Sequence, residues 1–276
     1  MTTNNTTKEQ TFIHHLIELR DRVIRAGIGV LIVFACLVYF ANDIYNFVAT
    51  PLLQVLPANG KMIATDVIAP FIVPIKLTLW VSFFIAIPWV LYQVWSFVAP
   101  GLYQHEKKVA FPIIFTSVML FYLGMAFAYY AVMPIMFKFL SGSAPDGVEI
   151  ATDISKYLST VLRLFFFFGI VFEIPIVLVI LVSLRILKTE SLVQKRPYII
   201  VGVFALSAIA TPPDPFSMII FASAALLLFE IGLYIGKRIE KRRAEKELAE
   251  DDSSVLATTE PEASVTEPLK PESSKE

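Results

Sequence analysis

TVLRLFFFFGIVFEIPIVLVILVSL, residues 160–184, decides the fold. The run is longer than the about 20 apolar residues an α-helix needs to cross bilayer hydrocarbon. Inside lipid every backbone N–H and C=O has to be paired within its own segment, so such a run is helical. Glu173 stands near its middle. A carboxylate at that depth costs roughly 2.5–3.5 kcal/mol on insertion scales, so it is expected to be protonated, paired with a neighbouring helix or facing a wet cavity.

Outward from this run the chain repeats the same design. On its C-terminal side follow Arg185, Lys188, Lys195 and Arg196, a short apolar run at 198–210, the break TPPDP at 211–215, and a further apolar run at 216–235. On its N-terminal side lie the turn SGSAPDG (141–147), an apolar run at 109–140, the polar link FVAPGLYQHEKK (97–108) and an apolar run at 76–98. The proline-broken segment 42–74 reads as helical pieces capping one face of the bundle, and 23–40 as the first span. Before it, Phe12, Leu16, Leu19 and Val23 recur at helical spacing, with Glu18 and Arg22 in the favourable i,i+4 order on another face. This amphipathic segment is expected to lie along the membrane surface before the chain turns in. The fold expected is all-α: a polytopic membrane protein with six transmembrane helices and an N-terminal cytoplasmic amphipathic segment. Residues 1–10 form a polar tail, 11–236 the membrane domain, and 237–276 a charged tail expected to be disordered.

Composition agrees. Among 276 residues, 56% are hydrophobic and only 17% charged, which excludes an ordinary soluble domain. Mean hydropathy is +0.68. The net charge of −1 conceals an asymmetry. Arg20, Arg22, Arg25, Lys107, Lys108, Arg185, Lys188, Lys195, Arg196 and the bases after Gly236 fall on one side of a six-span chain. Lys61, Lys76, Lys138, Lys156 and Arg163 fall near the other. The positive-inside rule then makes both termini cytoplasmic. The N-terminus lacks the pattern of a cleaved leader, so the first apolar run is expected to stay as an anchor. A single cysteine, Cys36, excludes an intramolecular disulfide.

Catalytic machinery is not legible. His14 and His15 are adjacent on a helix and point apart, and neither they nor His105 have ligand partners at metal-binding spacing. There is no phosphate loop and no nucleophile elbow. No enzyme, cofactor, metal or nucleic-acid partner is expected. Asp214, followed by Pro215, and Asp66, ahead of an apolar stretch, read first as helix caps. Glu18 and Glu106 differ, because each is an acid beside a membrane surface and flanked by apolar or aromatic groups. Two such carboxylates can receive two guanidinium groups. A charge-assisted bond to Arg is worth roughly 1.5–3 kcal/mol when shielded and about 0–1 kcal/mol when exposed, so selective binding needs a groove.

HLIELRDR (15–22), FVAPGLYQHE (97–106), FEIP (172–175), KRPY (195–198) and TPPD (211–214) resemble, in order and spacing, the signatures of the TatC family, core subunits of the twin-arginine protein translocase. The resemblance covers the chain up to about Lys237. It implies six helices, both termini cytoplasmic, in the bacterial cytoplasmic (inner) membrane. It further implies recognition of twin-arginine signal peptides on folded cargo and export driven by the proton-motive force, with TatA and TatB and as a homo-oligomer within a TatB–TatC complex. By resemblance, signal-peptide binding falls on Glu18, Arg20, Phe97, Leu102, Tyr103 and Glu106, the intramembrane docking acid on Glu173, and far-side loop positions on Pro51, Asp66 and Asp214. Met218 departs from the family pattern, where a polar residue, often glutamine, is common. The competing reading is a proton-coupled small-solute secondary transporter with Glu173 as its relay. That reading needs a midplane cavity and further polar residues, which the spans scarcely offer.

Overall fold

The computed structural model describes residues 3–55, 63–98, 110–142, 153–212 and 214–259. The described chain is helical, with one isolated bridge between Ile63 and Asp153. Eleven α-helices follow in order: α1 (Thr3–Leu37), α2 (Ala41–Val55), α3 (Ala69–Ile85), α4 (Ile87–Val98), α5 (Ala110–Phe127), α6 (Met133–Gly142), α7 (Ile154–Phe172), α8 (Ile174–Ser183), α9 (Thr189–Gln194), α10 (Arg196–Ala210) and α11 (Pro215–Thr259).

Local chemistry sets the breaks. Pro88 lacks an N–H and crowds the preceding turn. The α3–α4 pair accordingly bends by 53° at Ala86. Glu173 followed by Pro175 ends α7 and starts α8 in the same way. Asp153 is extended and caps α7, accepting from the Lys156 N–H at 2.9 Å. Between α5 and α6 the helix widens into one π-helical turn, Ala128–Val132, without stopping.

Phe168, Phe221, Leu77, Ile87, Met136 and Leu164 are fully buried at the centre. In lipid there is no hydrophobic drive between helices, so close packing relies on small residues. Gly124 lets α5 meet α7, since a Cβ there would lie 2.5 Å from the Phe168 carbonyl oxygen. Gly232 does the same for α11 against α8, with Pro175 Cα 2.9 Å from that position. Large apolar side chains such as Val23, Leu31, Ile32 and Val201 face outward, as expected where the solvent is hydrocarbon.

Three expectations need correction. The amphipathic N-terminal segment does not turn before the first span, because α1 runs unbroken from Thr3 and includes most of the stretch expected as a polar tail. Residues 69–74, expected in the capping loop, begin the second span's helix, with Pro70 at its N-terminal turn where a missing N–H costs nothing. The charged tail is helical to Thr259, since KRIEKRRAEKELAE is rich in strong helix formers and places Lys241 3.9 Å from Glu245 at i,i+4. Residues 260–276 lie outside the described chain. Four described helices are long and apolar enough to span a bilayer, and the bent α3–α4 pair makes a fifth. The fifth run expected from sequence, α10, has 15 residues and falls short by that measure.

Candidate functional site

Glu18 lies on α1, where the helical period sets it one turn before Arg22. Arg22 donates from Nε (3.1 Å) and Nη2 (2.7 Å), both to Glu18 Oε1. Among the described residues, Glu18 Oε2 has only the distant His15 Nδ1, at 3.9 Å. Around the pair is a hollow of about 290 Å³ whose lining includes His14, Asp21 and Arg25. Glu18 is 26% exposed and Arg22 21% exposed, so the pair is shielded on one side and open on the other. His15 stacks on Phe97 with ring centroids 4.4 Å apart, which fixes the end of α4 beside this turn of α1. Trp89 Nε1 adds a bond to the Arg25 carbonyl at 3.0 Å. Arg20 instead turns to Asp21, donating to Oδ1 at 2.8 and 2.9 Å, and is exposed. The structure thus places Glu18 and Phe97 at one end of the bundle. Leu102, Tyr103 and Glu106 lie outside the described residues.

Glu173 sits at the break between α7 and α8 and is 8% exposed. Trp95 Nε1 on α4 donates to Ser117 Oγ on α5 at 2.8 Å, and Ser117 Oγ in turn donates to Glu173 Oε2. Three helical segments are thereby joined by one chain of polar bonds. Glu173 Oε1 is buried with no partner among the described residues. Burying such a group is costly, so its free oxygen marks a place where a polar group from outside could be received. Trp95 and Ser117 did not stand out in the sequence as partners of Glu173. A serine inside an apolar run was the available signal, but its partner was not.

At the opposite ends of these helices Asp214 caps α11, whereas Asp66, expected as a cap, closes a turn just before α3, whose N-cap is Ile68 without a side-chain cap bond. Asp66 Oδ1 accepts from the Ile68 N–H at 3.2 Å, and Asp214 Oδ1 from the Ser217 N–H at 2.7 Å. Asp214 is buried, and its Oδ2 has no partner among the described residues. Pro51 lies on α2. Asp153 does more than cap: its Oδ2 accepts from the Thr65 hydroxyl and, at 3.2 Å, from the Thr65 N–H. The Thr65 hydroxyl and the Lys156 N–H hold its carboxyl down at about 2. Ile154 N–H donates to the Ile63 carbonyl at 3.0 Å, so the strand-like segment before α3 is pinned to the start of α7. Among the described residues no three His, Cys, Asp or Glu side chains cluster as a metal site.

A family model described as "Sec-independent protein translocase protein (TatC)" matches residues 14–223, which include both the Glu18 hollow and Glu173. The chain belongs to the TatC family. It is 48% identical to the Sec-independent protein translocase protein TatC of Haemophilus influenzae over 251 residues, covering 91% of this chain and 98% of that one. It is 50% identical to the TatC of Escherichia coli K12 over 228 residues, covering 83% and 88%. A crystal structure of a twin-arginine translocase receptor, TatC, superposes with a TM-score of 0.73 at 39% identity, covering 81% of this chain and 98% of that one. A second, of TatC in DDM, gives 0.74 at 38% identity, covering 80% and 99%. TatC is a core subunit of a membrane-embedded protein translocase and not a catalytic enzyme. The all-α architecture and the several apolar helices make this chain a multi-pass membrane protein.

Proposed function

We propose that this member of the TatC family is the signal-peptide receptor of a twin-arginine translocase. It would act with TatA and TatB, as a homo-oligomer within a TatB–TatC complex, to export folded proteins across the bacterial inner membrane at the expense of the proton-motive force. Both termini are cytoplasmic in this reading. The observation that carries it is that Glu18 already holds a guanidinium. Arg22 occupies one carboxylate oxygen, Oε1, with two N–H groups and leaves Oε2 outside that fork, on a residue that lines the hollow. A peptide arginine can take the open oxygen, or displace Arg22, using the same planar fork. Phe97, set beside Glu18 through His15, offers an apolar wall. Arg20, Leu102, Tyr103 and Glu106 complete the receptor surface in this reading, with Glu106 receiving the second arginine. Glu173 serves as the docking point for a polar group on a partner helix, and Pro51, Asp66 and Asp214 as the far-side loop positions.

Equilibrium binding of a labelled twin-arginine peptide to the purified protein tests this. Glu18→Gln is expected to weaken binding about 10- to 100-fold, the worth of one shielded charge-assisted bond. A twin-lysine peptide is expected to lose a similar factor, because an ammonium cannot reproduce the fork. Equal affinity for both peptides, unchanged by Glu18→Gln, would dismiss the receptor role.

A further inference from the structure

Three hollows along α3 and α7 share lining residues in sequence. The first, about 390 Å³, is lined by Ser155, Lys156, Ser159, Thr160 and Arg163. The second, about 380 Å³, shares Ser155 and Ser159 with it and adds Lys76 and Asp66 above the apolar side chains of both helices. The third, about 500 Å³, shares Leu77 and Leu162 with the second and is lined further by Phe84 and Phe165, with Asp43 the one charged residue on its lining. Along one track, a cationic and hydroxylated mouth therefore gives way to an almost wholly apolar groove.

Lys156, Thr160 and Arg163 stand at positions four and seven apart on α7 and so share a face. Lys76, Lys156 and Arg163 are exposed, and none makes an ion pair among the described residues. Arg163 lies inside the apolar span Ile154–Ser183, about 15 Å along the axis from Asp153. An unpaired cation at such a position calls for an anionic partner. Among the described residues Asp66 is the carboxylate lining the two hollows of the mouth, Asp43 lines the third hollow, and Asp153 caps the start of α7. Asp153 is committed to Thr65 and to the Lys156 N–H, and Asp66 cannot balance three cations.

We propose that this track binds an anionic phospholipid. The phosphodiester lies among Arg163, Lys156, Lys76 and the hydroxyls of Ser155, Ser159 and Thr160, and an acyl chain follows the groove past Leu77 and Leu162. Arginine forks and hydroxyl donors match phosphate oxygens in geometry and charge. A lipid is favoured over a soluble anion or an acidic peptide because the mouth opens on a membrane-spanning helix and leads directly into an apolar groove that only a hydrocarbon chain would fill. The site is independent of the signal-peptide reading, and neither result bears on the other.

The test uses the full chain reconstituted in zwitterionic-lipid nanodiscs, with a photoactivatable phosphatidylglycerol and a phosphatidylcholine of matched chains. Phosphatidylglycerol adducts are expected to map to α3 and α7 around Leu77, Leu158 and Leu162, well above those of phosphatidylcholine. Each basic residue near an anionic headgroup is worth about five-fold, so Lys156→Gln with Arg163→Gln should cut phosphatidylglycerol labelling by about 25-fold. The same pair should leave phosphatidylcholine labelling unchanged, and Arg163→Lys should retain most of the signal. Equal labelling by the two lipids, adducts that map elsewhere, or displacement by excess inorganic phosphate would overturn the proposal. Mapping on the wild-type chain decides the matter even if the double variant fails to fold.

Discussion

Ser117→Ala removes one hydroxyl and breaks two bonds, since Ser117 Oγ accepts from Trp95 Nε1 at 2.8 Å and donates to Glu173 Oε2. Both partners are buried, and Glu173 Oε1 is already without one among the described residues, so the variant leaves the carboxyl wholly unpartnered there. In a water-soluble interior each orphaned group would cost about 1–3 kcal/mol. Inside a bilayer the unfolded helices also find partners, and measured bonds average about 0.6 kcal/mol with an upper end near 1.7. The second regime governs here because all three residues lie on apolar helices, so we expect a loss of about 1–2 kcal/mol. Unfolding in mixed detergent–SDS micelles reads this directly. Ser117→Thr, which keeps the hydroxyl, should lose less. In a Glu173→Leu background the cost of Ser117→Ala should shrink by about 0.6 kcal/mol, the share of the lost Ser117–Glu173 bond. Equal costs in both backgrounds would refute the linked chain, as would a Ser117→Ala variant as stable as the wild type.

Gly124→Ala should destabilise by about 1–3 kcal/mol, because its Cβ would press on the Phe168 backbone. Gly27→Ala, whose Cβ meets nothing within 4 Å, should be neutral or slightly stabilising in the same micelle assay. Asp153 has a carboxyl depressed from 3.8 to about 2 by Thr65 and the Lys156 N–H. Its contribution is therefore fully present above 3.8 and is lost as pH falls through that value toward 2. Thermal scans should show the wild type losing stability across that window more steeply than Asp153→Asn. Glu240 on the extended α11 accepts from the Thr189 N–H at 3.0 Å and from its hydroxyl. Glu240→Ala should release α9 and speed tryptic cleavage at Lys188 and Lys195, while Glu245→Ala, which removes only an exposed pair, should not.

The apolar helices and the cap at Asp214 are legible in the sequence because each is written locally, in apolar length or in an acid followed by a proline and an apolar run. What escaped was non-local or a matter of continuity. The Trp95–Ser117–Glu173 chain links positions 22 and 56 residues apart, and nothing in one span announces its partner in another. Helical periodicity shows a face but not an end, so the amphipathic stretch around Glu18 and the span after it looked like two pieces where α1 is one. Missing apolar residues mark the tail after Gly236 as polar, whereas helix propensity and the i,i+4 pair Lys241–Glu245 go with the continuation of α11 to Thr259. Within the candidate receptor, Glu18 and Phe97 could be named from sequence, but the stacking of His15 on Phe97 and the Arg22 fork on a single Glu18 oxygen needed coordinates.

The most direct test of the receptor claim is site-specific photocrosslinking from a reactive residue beside Glu106 to a twin-arginine signal peptide in native membranes. The account predicts an adduct that disappears with a twin-lysine peptide and with Glu106→Ala or Glu18→Ala, while the protein stays folded and inserted. An adduct of equal yield under all of these conditions would contradict it and return both acids to the status of ordinary surface groups.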